Sequence, residues 1–155
     1  MTRAQMSGFT LLEVLVALVV LACGLLGAAG VVISGERMAS SSSLHTIAQQ
    51  YAYEITDRMR ANSAAVSSGS YALSSGSTAS STTNCLTTTC STGAMAQYDL
   101  AQWQTELQAL PNGAGTVTTT ASGSQTSIVV TVQWTEPLWI KGGNASNSIT
   151  VQTLI

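Results

Sequence analysis

The sequence predicts an α+β fold: one long N-terminal helix packed on a small antiparallel sheet. Three observations carry this. No proline interrupts Phe9 to Asn62, where an apolar run is followed by apolar residues at helical spacing. A second helical stripe follows a stretch rich in serine and threonine. Residues 115–155 then alternate apolar and polar side chains in short segments bounded by turn residues.

In chain order, residues 1–8 form a polar leader, MTRAQMSG, whose one charge is Arg3. Phe9 to Ile33 reads FTLLEVLVALVVLACGLLGAAGVVI, apolar or small throughout apart from one charge, Glu13. About 20 apolar residues span a bilayer, so this segment is long enough. A carboxylate inside such a span is costly and is usually kept for a function. The arrangement differs from a secretory signal peptide, which places its small-residue cleavage site after the apolar run. Here the small residue, Gly8, precedes it. Arg3 in the leader, set against the cancelling pair Glu36 and Arg37, weakly favours the leader inside and the remainder outside.

Residues 34–155 are expected to form one globular domain. Its first element is helix 34–62, continuous with the apolar helix. Leu44, Ile47, Ala48, Tyr51, Ile55 and Met59 give it one buried face. Glu54 and Arg58 form an i, i+4 pair on the wetter side. The four serines Ser40–Ser43 are expected to loosen it. At 1.5 Å per residue the whole helix would be about 80 Å long. Residues 63–93 read as a surface loop, with Tyr71, Leu73 and Leu86 its large apolar exceptions. Residues 94–110 return to helical spacing at Ala96, Leu100, Trp103, Leu107 and Leu110, and Pro111-Asn-Gly113 stops them. Strands follow at 115–121, 126–134 and 148–155. Ser122–Gln125 is the hairpin turn between the first two, and a longer loop, Thr135–Asn147, precedes the third. The Leu44–Met59 stripe is the natural cover for the sheet.

Charged residues make up only 8% of the chain, and none lies between Ala61 and Tyr98. Nucleic acid is therefore not an expected partner, since phosphate binding needs a basic patch. One histidine and few carboxylates assemble no catalytic constellation, so neither an enzyme, a cofactor nor a metal site is expected. Cys85 and Cys90 sit in a polar loop with no His or carboxylate near them, which disfavours metal. They are either bridged, as an oxidising compartment permits, or free thiols. Cys23, inside the apolar helix, reads as a small hydrophobe. His45 lies one position off the apolar stripe and reads as solvated. Gly24, Gly27 and Gly30 either allow close helix packing or mark a segment able to unwind. Asn144-Ala-Ser146 matches a glycosylation sequon, a frequent chance triplet. Trp139 and Ile140 either fold back on the sheet or form a subunit contact.

GFTLLEVLVAL, read with its leader, closely resembles the prepilin signal of type IV pilins and of type II secretion pseudopilins. The resemblance implies cleavage between Gly8 and Phe9 by a prepilin peptidase and methyltransferase, with N-methylation of Phe9. The apolar helix would stay on the mature chain as a single-pass inner-membrane anchor, with the domain in the periplasm. It would then become the assembly element among other pilin subunits in a cell-surface pilus. Cleavage leaves Glu13 at the fifth mature position. A buried carboxylate needs a cationic partner, and the resemblance makes that partner the N-terminal amine of a neighbouring subunit. Four stretches, VLVALVVLACGLLG, AYEITDRMRAN, DLAQWQTELQALPNGAG and VVTVQWTEP, are further similar to the PilV branch of minor pilins, the type IV pilus modification proteins. That likeness implies a role in pilus assembly or modification, supporting adhesion and twitching motility. The alternatives are a minor pseudopilin of type II secretion and, from another class, a ligand- or DNA-binding module at a pilus tip. Scarce positive charge argues against the DNA receptor.

Overall fold

The computed structural model describes residues 8–138 and 142–155. Leader residues 1–7, and the loop residues Trp139 and Ile140, lie outside the described residues. The fold is the expected class: a long N-terminal helix with an apolar stretch, and a three-stranded antiparallel sheet. Two compact units share the first helix, α1 (Leu11–Ala61), one ending and the other beginning between Ser40 and Ser41.

The first unit is the apolar part of α1. Its large apolar side chains are exposed: Leu11 is 80% exposed, Leu26 74% and Val31 74%. By length and composition α1 could cross a membrane. The loosening expected at Ser40–Ser43 does not occur, and α1 is helical throughout. Serine is only mildly unfavourable in a helix, less than a glycine would be. Thr46 Oγ1 folds back to donate to the Ser42 carbonyl at 3.0 Å.

The second unit holds the rest of α1, then α2 (Ser63–Ser67), α3 (Thr92–Leu107), β1 (Ala114–Ser122), β2 (Gln125–Pro137) and β3 (Asn144–Leu154). Several boundaries differ from expectation. α3 starts at Thr92 because Ser91 caps it, its Oγ accepting from the Ala94 N–H at 3.3 Å. The helix ends at Leu107, and tighter turns carry the chain on to Leu110, whose N–H donates to the Leu107 carbonyl at 3.0 Å. The loop before β3 is shorter, since β2 runs to Pro137 and β3 begins at Asn144. Nor is 63–93 all surface. Ala65 and Val66 of α2 are buried, as are Tyr71 and Leu73. Leu73 and Val117 exchange two backbone hydrogen bonds of 2.9 Å, fastening the segment against β1.

The sheet order is β1-β2-β3, each pair antiparallel. Gly123 and Ser124 join β1 to β2 in a two-residue hairpin, with Ser122 opposite Gln125. Positive φ at Gly123 (64°) alone of the two is what the right-handed strand twist favours, and glycine adopts it without strain. Val117, Ile128, Val130, Val132 and Trp134 form the buried face, with Ile149, Val151 and Ile155 half-buried beside them. The α1 stripe covers this face through Ala48, Ala52, Ile55 and Met59, but not alone. Ala96, Leu100, Trp103 and Leu107 of α3 share the cover. Burying apolar area from all three layers is the main driving force for this unit.

Gly115 on β1 makes the approach of α3 possible. A Cβ there would lie 2.3 Å from the Trp103 ring and 2.7 Å from a Leu107 methyl. Gly115→Val is therefore expected to lower stability by about 1–3 kcal/mol through overpacking. Urea unfolding of the exported protein checks this. An unchanged midpoint would show that the Trp103 ring can move aside.

Candidate functional site

The N-terminal candidates lie in sequence just ahead of α1 and in its first turn. Gly8, Phe9 and Thr10 precede the helix and are exposed. Thr10 starts it: its carbonyl accepts from the Glu13 and Val14 N–H groups at 3.1 and 3.3 Å, and its Oγ1 accepts from the Glu13 N–H at 3.3 Å. Thr10-Leu-Leu-Glu13 is the S/T-x-x-E spacing of a helix start, a signal present in the sequence but overlooked there. Glu13 thus sits where the helix dipole favours negative charge. It lines a shallow, mostly apolar depression of about 350 Å³ with Phe9, Val14, Ala17, Leu18 and Leu21. An ideal Cβ placed on Gly8 meets nothing within 4 Å, so contacts among the described residues do not account for a glycine there. The same holds for Gly24, Gly27 and Gly30.

The second unit carries a polar cluster that sequence reading understated. Arg58 was expected on a wet face with Glu54. It is instead partly buried and joins α1 to α3. It pairs with Glu54, donates to Gln102 Oε1 and Glu106 Oε1 at 3.1 Å each, and lies 4.0 Å from Asp99. Burial opposes its charge, but the Glu54 hydrogen bond and the Glu106, Glu54 and Asp99 carboxylates outweigh this and hold its pKa above the ordinary value. Asp99 also accepts a hydrogen bond from the buried Tyr71 hydroxyl. Burial and then this bond raise the Tyr71 pKa well above its usual value. Asn62 completes the group, its Nδ2 donating to Tyr71 Oη at 3.3 Å and to the Thr92 carbonyl at 2.8 Å. These contacts join α1 to α3 as a structural clasp, although Glu106 Oε2 is buried without a hydrogen-bond partner among the described residues.

His45 is exposed, but not merely solvated. Its ring stands edge-to-face on Trp134, centroids 4.7 Å apart. Cys85 and Cys90 are bridged, closing a small ring on the exposed loop, and Cys23 is a free thiol. Ser91, the cap of α3, follows the bridge directly, so the ring ends where the helix begins. Asn144, of the sequon, is the first residue of β3. Among the described residues no group of His, Cys, Asp and Glu side chains could hold a metal ion.

Residues 3–29 match the model of the prokaryotic N-terminal methylation motif. Residues 38–101 match the model described as Type IV pilin Tt1218. The two matches do not overlap and together span more than half of the 155 residues. Over these residues the chain is similar to type IV pilins. No curated protein and no solved structure matches it. The methylation match takes in Gly8, Phe9, Glu13 and most of the apolar segment. The pilin match takes in Arg58, Tyr71, the Cys85–Cys90 bridge and Asp99. Glu106, Trp134 and all three strands of the sheet lie beyond it. A type IV pilin is a structural subunit, and its N-terminal helix anchors it in a membrane before assembly.

Proposed function

We propose that this pilin is a minor subunit concerned with assembling or modifying a type IV pilus, and through it with adhesion and twitching motility. The observation that carries this is an N-terminal methylation motif on an exposed apolar helix that leads into a pilin domain. In this reading residues 1–8 are a leader, 9–33 the membrane and assembly half of the helix, and 34–155 the domain carried into the periplasm and then to the cell surface. A prepilin peptidase cuts between Gly8 and Phe9, and Phe9 is N-methylated. The open space around Gly8 supports a glycine demanded by a processing enzyme rather than by packing. Glu13 pairs with the N-terminal amine of an adjacent subunit and sets the register of docking. The PilV-like stretches named above favour a pilus over a type II secretion system.

Gly8→Val tests the reading. The expected result is an uncleaved, unmethylated precursor held in the membrane fraction, seen by N-terminal sequencing and mass spectrometry. A mature N-terminus at Phe9 in that variant would overturn the assignment.

A further inference from the structure

The outer edge of β3 pairs with no other strand among the described residues. Thr126 and Ile155 exchange both backbone hydrogen bonds across β2 and β3, at 2.7 and 3.0 Å. Bonded and unbonded pairs alternate along an antiparallel ladder, and the register is regular from Ser127–Leu154 to Pro137–Asn144. The odd-numbered residues of β3 therefore bond to β2. Ser146, Ser148, Thr150, Gln152 and Leu154 turn their N–H and C=O groups outward. Among the described residues no backbone group takes up those of these five. Edges left open are commonly blocked by lysine, proline or a bulge. From Gly142 to Ile155 there is no charge and no proline, and the pairing shows no bulge. The opposite edge differs: Leu73 already occupies Val117 at the middle of β1.

We propose that the free edge of β3 binds an extended, uncharged, proline-free segment of a different exported chain by strand addition. Each outward residue supplies one donor and one acceptor, and this backbone pairing gives the affinity. Alternate residues of the incoming strand would lie beside Ile149 and Val151, which are only half-buried. Apolar side chains at every second position are therefore selected, and charged ones would meet no partner along the strand.

A second copy fits poorly. Head-to-tail addition of β3 to another copy's β1 meets Leu73 at Val117. Antiparallel pairing of β3 with β3 places a two-fold axis normal to the sheet. That operation reverses the residues 44–61 part of α1, which lies across the sheet. Subunits drawn from one membrane enter their domains in the same direction, so this pairing is disfavoured. Only this choice of partner rests on the pilus reading.

The test is a photoreactive amino acid at Ser148 or Gln152 in cells assembling the fibre, with Gln133, exposed on β2, as control position. Crosslinked peptides are identified by mass spectrometry. The expected result is that both edge positions join one short extended segment of a single other exported chain, at residues about four apart, and that Gln133 does not. Adding Ser148→Pro removes an outward N–H without touching the β2 ladder. It should cut the Gln152 crosslink at least tenfold while chain level and the Cys85–Cys90 bridge stay unchanged. Where that variant lowers chain level, Ser148→Lys replaces it. Products joining two copies of this chain, scattered products, no product, or a crosslink that survives both variants would each overturn the proposal. If these appear in cells that process the chain at Phe9 and incorporate it normally, the edge assignment fails and the pilus reading stands. Failure of processing in wild-type cells would instead remove the pilus reading.

Discussion

Glu13→Ala is expected to be inserted and cleaved normally, yet to be missing from sheared fibres. Insertion cannot suffer, because the substitution removes the one charge from the apolar segment Phe9–Ile33. Gly8 and Phe9 are untouched, so the peptidase meets the same bond. The start of the helix is also kept, since Thr10 caps it through the backbone N–H of residue 13, which alanine retains. What disappears is the proposed acidic partner for a neighbour's N-terminal amine, in a surface of exposed leucines and valines. Leaving one member of a buried ion pair unpartnered costs about 3–5 kcal/mol, enough to lower docking more than a hundredfold. The measurement is the ratio of this subunit in sheared fibres to that in membranes. Normal incorporation would show that Glu13 is incidental and would remove the proposed docking contact.

Trp103→Ala is expected to cost about 3–5 kcal/mol, the range for truncating a fully buried aromatic side chain. The indole is completely buried and packs where α3 meets β1, against the bare Cα of Gly115. Its Nε1–H donates to the Tyr51 carbonyl of α1 at 3.0 Å, so one side chain ties three elements. Neighbouring Leu107 and Leu100 cannot refill an indole-sized space without moving the backbone. Since small domains are stable by only about 5–15 kcal/mol, the variant should sit near the edge of unfolding. Urea denaturation of the exported protein reads the loss. A fall under 1 kcal/mol would mean that α3 collapses onto the sheet without the ring.

Gly115 shows why part of the fold was hidden. By its sequence alone Gly115 is only the first residue of the strand expected at 115–121. The glycine instead answers a side chain twelve residues earlier in the chain, and no local pattern carries that information. Arg58 is similar. Its i, i+4 spacing to Glu54 is plain in the sequence, but Asp99, Gln102 and Glu106 reach it only because α3 packs beside α1. Tyr71 and Leu73 were conspicuous as large side chains in a polar stretch. That they enter the core follows from the Leu73–Val117 bridge, a contact between distant segments.

The sequence by itself determined the long helix, its apolar half, the carboxylate within it and the three alternating strands. These features rest on periodicity and on short-range spacing, which a linear pattern records directly. Only the tertiary structure decided that α3 shares the cover of the sheet, that Arg58 clasps two helices, and that Leu73 pairs with the edge of β1 while no described residue pairs with the edge of β3. Each of those depends on which segments meet in space, and residues far apart in sequence meet only when the whole core closes.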